Sequence, residues 1–460
     1  MIKIFGHYFN KRTLLQVTTD FTLIMVVMLS SALASVTDSV AFTTPLIANT
    51  LVFALGVLSI NGALGFYQRA HNRTVGQTNS RAVLALFISA ALASAIWAMS
   101  KFSGSNERAF LAALVATLLT MLVLRVLVSH FTPREYMRQR VLVFGTGKPA
   151  QTVGQSLKKS DPNVDLVGYF ASPNETIPEV SAWGLLAPGK SLTDVVTDER
   201  VDEIVVALSE RRGGSMPLRE LLDCKLQGIR VVDIATHFEK TLGQIRLDSI
   251  SAGWLIFGDG FGQGWVRAAV KRVFDIVCTC VLIVVTFPIM VVTGILILLE
   301  SPGPMLYLQE RVGLNGRLFN VVKFRSMRTD AEKDGTPRWA TASDDRVTRV
   351  GRVIRKLRID ELPQLVSVLS GAMSLVGPRP ERPFFVDKLT QEIPFFAVRQ
   401  SVKPGVTGWA QVRYQYGASV EDAAEKLQYD LYYVKNHNLF LDIVILFETI
   451  GVVLMRKGAQ

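Results

Sequence analysis

The sequence predicts a multi-domain membrane protein with three parts: a four-helix transmembrane bundle, an α/β Rossmann-like domain with a parallel sheet, and a mainly helical C-terminal domain with a re-entrant membrane helix. Three observations predict it. Apolar residues make up 49% of the 460 and mean hydropathy is +0.30; they gather into runs long enough to cross a bilayer core. From about Val141 the apolar runs shorten and alternate with helical stretches, as in a parallel-sheet domain. A fifth long run then carries a proline in its middle and basic residues on both flanks. The expected domains are 1–135, 136–264 and 265–460.

The four early runs lie at about 14–36, 44–66, 81–100 and 109–129. Lys3, Lys11 and Arg12 precede the first, and the turn after it has no Lys or Arg. Arg69, Arg73 and Arg81 fill the second connection, and Arg134, Arg138 and Arg140 follow the last. The positive-inside rule places both ends of the bundle in the cytoplasm. The first run is long and others follow it, so no cleavable signal is expected. Asp20 and Arg125 sit inside runs near their ends, where helix packing or snorkelling accounts for them.

In the next part, "VLVFGTGKPA", "VDLVGYF", "VDEIVVAL" and "IRVVDI" read as strands. "SLTDVVTDER" and "LRELLDCKLQG" read as helices between them. Gly145 and Gly147 open a GxGxxA pattern, which suggests a nucleotide loop. The acid that should follow the second strand to hold a ribose is missing; "GYFASP" stands there. A structural or regulatory module is therefore the competing reading.

The fifth run, about 276–299, contains Pro288, where a kink is expected because proline removes a helix hydrogen bond and clashes with the preceding turn. Lys271 and Arg272 lie before it; Arg311, Arg317, Lys323, Arg325 and Arg328 lie after it. Positive charge on both flanks predicts re-entry from one face rather than a crossing.

The net charge is +11, and thirteen Lys and Arg fall between Arg311 and Arg358. Such density beside a membrane segment points first to anionic lipid heads and then to a diphosphate substrate. No nucleic-acid motif accompanies it. Cys224, Cys278 and Cys280 form no CxxC pair, which argues against a disulfide framework or a zinc site.

In "RKLRIDELPQL", Asp360 precedes an apolar-periodic stretch and reads as a helix N-cap. Guanidinium groups and the helix start should lower its pKa. An ionised carboxylate there could also attack phosphorus or hold a hard cation. Arg379 and Arg382 in "VGPRPERP" suit phosphate contacts. Lys403 and Trp409 in "VKPGVTGWAQV" could line a site, with a structural loop as the alternative. Asp430, among Tyr429, Tyr432 and Tyr433, is a candidate metal acid on a helix that otherwise reads as core.

The series "KRVFDIV", "SPGP", "QERVGLNGRLFNVVKFRSM", "DELPQL", "MSLVGPRPERP", "VKPGVTGWAQV" and "YDLYYV" resembles the bacterial sugar transferase family, the monotopic phosphoglycosyl transferases, over about 271–455. The N-terminal spans and Rossmann-like domain resemble its large members that prime exopolysaccharide synthesis. "TLGQIRLDSISAGWLIFGDGF" resembles the exosortase-linked subgroup. The resemblance implies that a UDP-sugar gives its sugar 1-phosphate to undecaprenyl phosphate at the cytoplasmic face of the inner membrane. It implies Asp360 as the nucleophile of a ping-pong mechanism, Glu361 completing the dyad, and Mg2+ as cofactor; Asp360, Glu361 and Asp430 are the candidate metal ligands. It further implies phosphate binding by Arg355 and Pro288 as the re-entrant kink; Lys323, Arg325, Arg379, Arg382 and Lys403, read from the basic groups and Gly/Pro turns, are further candidate phosphate contacts. Ala372 stands where the family often has an acid. A homodimer and other polysaccharide-assembly proteins are the further partners considered. Two other classes stay open: a membrane-bound nucleotide-sugar dehydratase and a non-catalytic assembly scaffold.

Overall fold

In the computed structural model, the described residues are 2–4, 7–9, 11–35, 44–64, 66–67, scattered positions between 85 and 123, 139–160, 164–172, 180, 184–186, 189–208, 216–250, 255, 260–262, 264–329, 346–414 and 419–454. They fall into two compact units, one holding Asn10–Ile60 and Tyr67–Gly243, the other Ile2–Phe9, Asn61–Phe66 and Gln244–Gln460.

A short hairpin, β1 (Ile2–Ile4) and β2 (His7–Phe9), precedes two apolar helices, α1 (Lys11–Ser35) and α2 (Thr44–Ala63). These match the first two expected spans. A stretch of α1, Thr13–Ser30, is long and apolar enough to cross a membrane; Ile47–Gly62 is a shorter apolar helix. The third and fourth expected spans, and Arg125 with them, lie largely outside the described residues. Asp20 is buried, and Tyr67 Oη donates to its carboxylate at 2.7 Å, so the charge is packed within the unit.

The α/β part follows the sequence closely. Strands β3 (Gln139–Phe144), β4 (Val164–Phe170), β5 (Glu203–Val206) and β6 (Arg230–Asp233) form a parallel sheet in the order β4-β3-β5-β6. Alternate residues of one strand serve opposite faces. Val141, Val143, Val205 and Ala207 pack with α3 (Lys148–Ser160) and α6 (Ile234–Leu242). Leu142, Phe144, Ile204 and Val206 pack with α4 (Leu192–Asp198) and α5 (Leu218–Leu226). Burial on both faces explains why these strands read as continuous apolar runs.

In the second unit the boundary comes earlier than expected, at Gln244 rather than Trp265. Ile245 joins its core and donates from its backbone N–H to Gln428. Helix α7 spans Trp265–Glu300 without interruption, with Pro288 inside it. The hairpin β7 (Leu306–Val312) and β8 (Leu318–Phe324) follows. After it come α8 (Arg349–Lys356), a 3-10 turn at Ile359–Glu361, α9 (Gln364–Ser370) and β9 (Ser374–Val376). Then α10 (Pro383–Glu392), a 3-10 segment at Phe396–Ser401 and β10 (Gly405–Thr407) lead into α11 (Trp409–Arg413), α12 (Val420–Asn436) and α13 (Leu439–Leu454).

Strand β10 pairs in parallel with β9, and the glycines of the two Gly/Pro motifs meet there. A Cβ on Gly405 would collide with the Gly377 backbone, and one on Gly408 with the Gly377 carbonyl. Those glycines allow close backbone approach. Trp409 is buried, stacked on Tyr432 and covered by Arg413, so it belongs to the core and lines no site.

Both ends of α7 are tied to this unit. Near its start, Lys271 pairs with Asp442 at 2.6 Å, Arg272 donates to the Val368 and Leu369 carbonyls, and Asp275 accepts from Leu375 N–H. At its end, Glu300 accepts from the Arg349 and Val350 N–H groups and so caps α8.

Candidate active site

Asp360 is not the N-cap of a helix. Arg358 takes left-handed angles (φ 57°, ψ 19°) that end the run from α8, and Ile359–Glu361 form a separate 3-10 turn. Pro363 holds the N-cap position of α9. The turn sets the two carboxylates in unlike surroundings.

Glu361 is buried and surrounded by cations. Arg379 meets its Oε1 at 2.7 Å, Lys323 the same oxygen at 3.2 Å, and Arg358 its Oε2 at 3.7 Å. Burial opposes its charge, but Arg379, Lys323 and Arg358 outweigh that and hold the carboxyl well below its usual range. Asp360 goes the other way: burial first, and the charge on Glu361 second, push it up to about 6. This reverses the lowered value expected from its neighbouring guanidinium groups, because burial and the charge on Glu361 outweigh Lys323, Arg358 and Arg379. Asp360 Oδ1 is buried with no hydrogen-bond partner.

Sequence reasoning placed Lys323 and Arg379 here, and the structure brings them to the dyad. It set Arg358 near Asp360 but named neither Arg358 nor Arg311 as a site residue. Arg311 is held below its ordinary value, at about 10, chiefly by burial; Glu381 pulls it back up, while Arg379 and Arg382 lower it further. Arg382 thus belongs to the same basic cluster. The signal for Arg311 was its place among the basic residues after the fifth run; nothing local marked it off from Arg317.

Other expected contacts lie elsewhere. Arg325 is buried, and its guanidinium donates to the Ser301 and Pro302 carbonyls, fixing the turn after α7. Arg355 makes no ion pair among the described residues. Lys403 has Arg272, Asp275 and Lys271 as its electrostatic neighbours, near the start of α7. Asp430 pairs with Arg399 at 2.7 Å. Among the described residues no three His, Cys, Asp or Glu side chains form a metal-holding group, so the acids Asp360, Glu361 and Asp430 are not gathered together. In the α/β part, a Cβ on Gly145 would collide with the Ala207 carbonyl, so that glycine is required by packing between strand ends. Its φ is 125°.

Beside the dyad lies an apolar cavity of about 450 Å³ between the second half of α7 and α8. Pro288, Val292, Leu296, Val353 and Ile354 line it, and its last residue, Ile359, directly precedes Asp360.

A profile of bacterial sugar transferases matches residues 266–456, and one described as a CoA-binding domain matches 62–216. A UDP-glucose:undecaprenyl-phosphate glucose-1-phosphate transferase of Xanthomonas campestris pv. campestris is 30% identical over 362 residues, covering 76% of this chain and 74% of that protein. The chain belongs to the bacterial sugar transferase family. Another member is the UDP-N-acetylgalactosamine-undecaprenyl-phosphate N-acetylgalactosaminephosphotransferase of Aeromonas hydrophila. It is 43% identical over 261 residues, 57% of this chain and 61% of its own length, so the alignment spans less than two thirds of that relative. A sugar transferase of Bacillus subtilis (strain 168), EpsL, is 40% identical over 190 residues, 41% of this chain and 90% of its own. As a family member the chain is a transferase. The residues matched by the sugar transferase profile, 266–456, contain the dyad and its cations.

Proposed function

We propose that this transferase moves a sugar 1-phosphate from a UDP-sugar to undecaprenyl phosphate, giving the polyprenyl-diphosphate sugar and UMP, as the priming step of exopolysaccharide synthesis. The observation that carries the reading is the pairing of a buried dyad ringed by cations with an apolar cavity that ends beside it. One side suits a diphosphate and the other an isoprenoid chain.

Asp360 is the nucleophile. Its carboxylate oxygen attacks the sugar-bearing phosphorus, the phosphoanhydride bond breaks, and UMP leaves with the bond pair. A phosphate oxygen of the lipid then attacks the same phosphorus and releases the Asp360 carboxylate. Arg379, Lys323 and Arg358 hold Glu361 ionised and offset the charge of successive phosphates, with Arg311 and Arg382 nearby. The donor set suits Mg2+, because Asp360 Oδ1 is an orphaned hard oxygen and this ion commonly takes one or two carboxylates with substrate phosphates. Asp360 and Glu361 would hold it, and when bound it supplies Lewis-acid polarisation of the diphosphate.

The membrane reading rests on α7. A 36-residue helix is about 54 Å long if straight, well beyond a core of roughly 30 Å. Attachment of both its ends to one unit supports re-entry from the cytoplasmic face of the inner membrane; Pro288, inside this uninterrupted helix, is where that reading expects a bend.

The test is covalent labelling. Protein incubated with radiolabelled UDP-sugar and Mg2+, without lipid, is expected to take up sugar phosphate to about one equivalent. Asp360→Asn is expected to take up none. Full turnover by that variant would defeat the assignment and favour an assembly scaffold or another enzyme class.

A further inference from the structure

The loop that presents Arg379 to Glu361 is short of its own hydrogen bonds. Pro378, Pro380 and Pro383 lack N–H groups, so the stretch cannot build a local ladder. Its carbonyls are held from outside in succession. Gly405 N–H donates to Pro378, the Arg399 guanidinium to Arg379 at 2.9 Å, the Arg311 guanidinium to Pro380 at 3.0 Å, and Val312 N–H to Glu381. Two of the four donors are therefore arginine side chains, which must themselves be fixed.

Arg399 is fixed by Asp430. The two meet at 2.7 Å, with side-chain exposures of 10% and 2%, and Arg399 also lies over the Phe396 ring. Asp430 is far along the sequence from the dyad and has no place in a metal-holding group.

We propose that Asp430 and Arg399 are a positioning pair for the transfer site, acting through the Arg379 main chain to set the guanidinium that meets Glu361. The proposal rests on the catalytic reading of the dyad and gives Asp430 a role other than metal binding. With Asp430 ionised, Arg399 stays on the Arg379 carbonyl. Without that ion pair Arg399 is no longer held on the carbonyl, and the loop loses its register. A lysine at 399 is a compact point charge and cannot reproduce the guanidinium's spread of donors.

The test is a double-mutant cycle on sugar-phosphate transfer, using the full chain in detergent. Asp430→Asn keeps the shape and is expected to lower kcat about tenfold or more while leaving KM for the lipid acceptor unchanged. Arg399→Lys should do the same. In an Arg379→Ala background, Asp430→Asn is expected to cost nothing further. An equal loss in both backgrounds, or full activity of Asp430→Asn, overturns the proposal. Hydrogen exchange over 377–382 gives a readout independent of turnover. Faster exchange in Asp430→Asn is expected, and unchanged exchange overturns the positioning role. Absence of transfer by the wild-type chain, with faster exchange in the variant, would instead sink the catalytic reading and leave the positioning pair standing.

Discussion

Asp360 and Glu361 are neighbours in sequence with opposite acid strengths, and the difference comes from what each faces. The sequence made the pair visible but not the split, because the partners of Glu361 come from other segments: Lys323 from β8 and Arg379 from the loop after β9. Local charge counting set the guanidinium groups of its own segment against Asp360, whereas Arg358 meets Glu361 and Arg355 makes no ion pair among the described residues. Asp430 offers a separate test at this scale. Burial, against the pull of Arg399, pushes its carboxyl up to about 6. The folded chain then binds that proton more tightly than the unfolded chain. This favourable contribution is present below about pH 4 and is lost as the pH rises through about 6. Asp430→Asn removes that slope, so its melting temperature is expected to gain a few degrees on the wild type between about pH 4 and about pH 7. A gap independent of pH would show an ordinary carboxyl.

At the scale of elements, the strands of the α/β part were legible because each is a short apolar run bounded by turn residues, and both sheet faces are covered. The start of α9 was misread because a left-handed Arg358 and Pro363 divide what looks like one helical pattern. The cavity between α7 and α8 had no signature at all, since it depends on how Glu300 caps α8. Val353 lines that cavity and is 55% exposed, so a charge there should not disturb folding. Val353→Glu is expected to raise KM for polyprenyl phosphate about tenfold, from loss of apolar contact, while leaving donor labelling of Asp360 intact. Loss of labelling, or an unchanged KM, would remove the acceptor chain from this cavity.

At the scale of the molecule, the dyad, its cations and the cavity all come from the second unit, and the sugar transferase profile matches within it, at 266–456. A chain reduced to residues 244–460 is therefore expected to keep labelling and transfer within about tenfold of the full chain, measured in detergent. Loss of labelling by a folded fragment would show that the first unit takes part in the chemistry. The boundary at Gln244 was not readable from composition, because what ties Ile245 to the second unit is Gln428, far along the chain. The two attachments of α7 also constrain how this chain can vary. Each residue of a helix turns the next by about 100°. One residue inserted between Asp275 and Glu300 would keep the helix apolar and aim Glu300 away from the N–H groups of Arg349 and Val350. The length of this segment is thus fixed by phase as well as by bilayer thickness, and substitutions that leave its count unchanged should be tolerated far more readily than any single insertion or deletion.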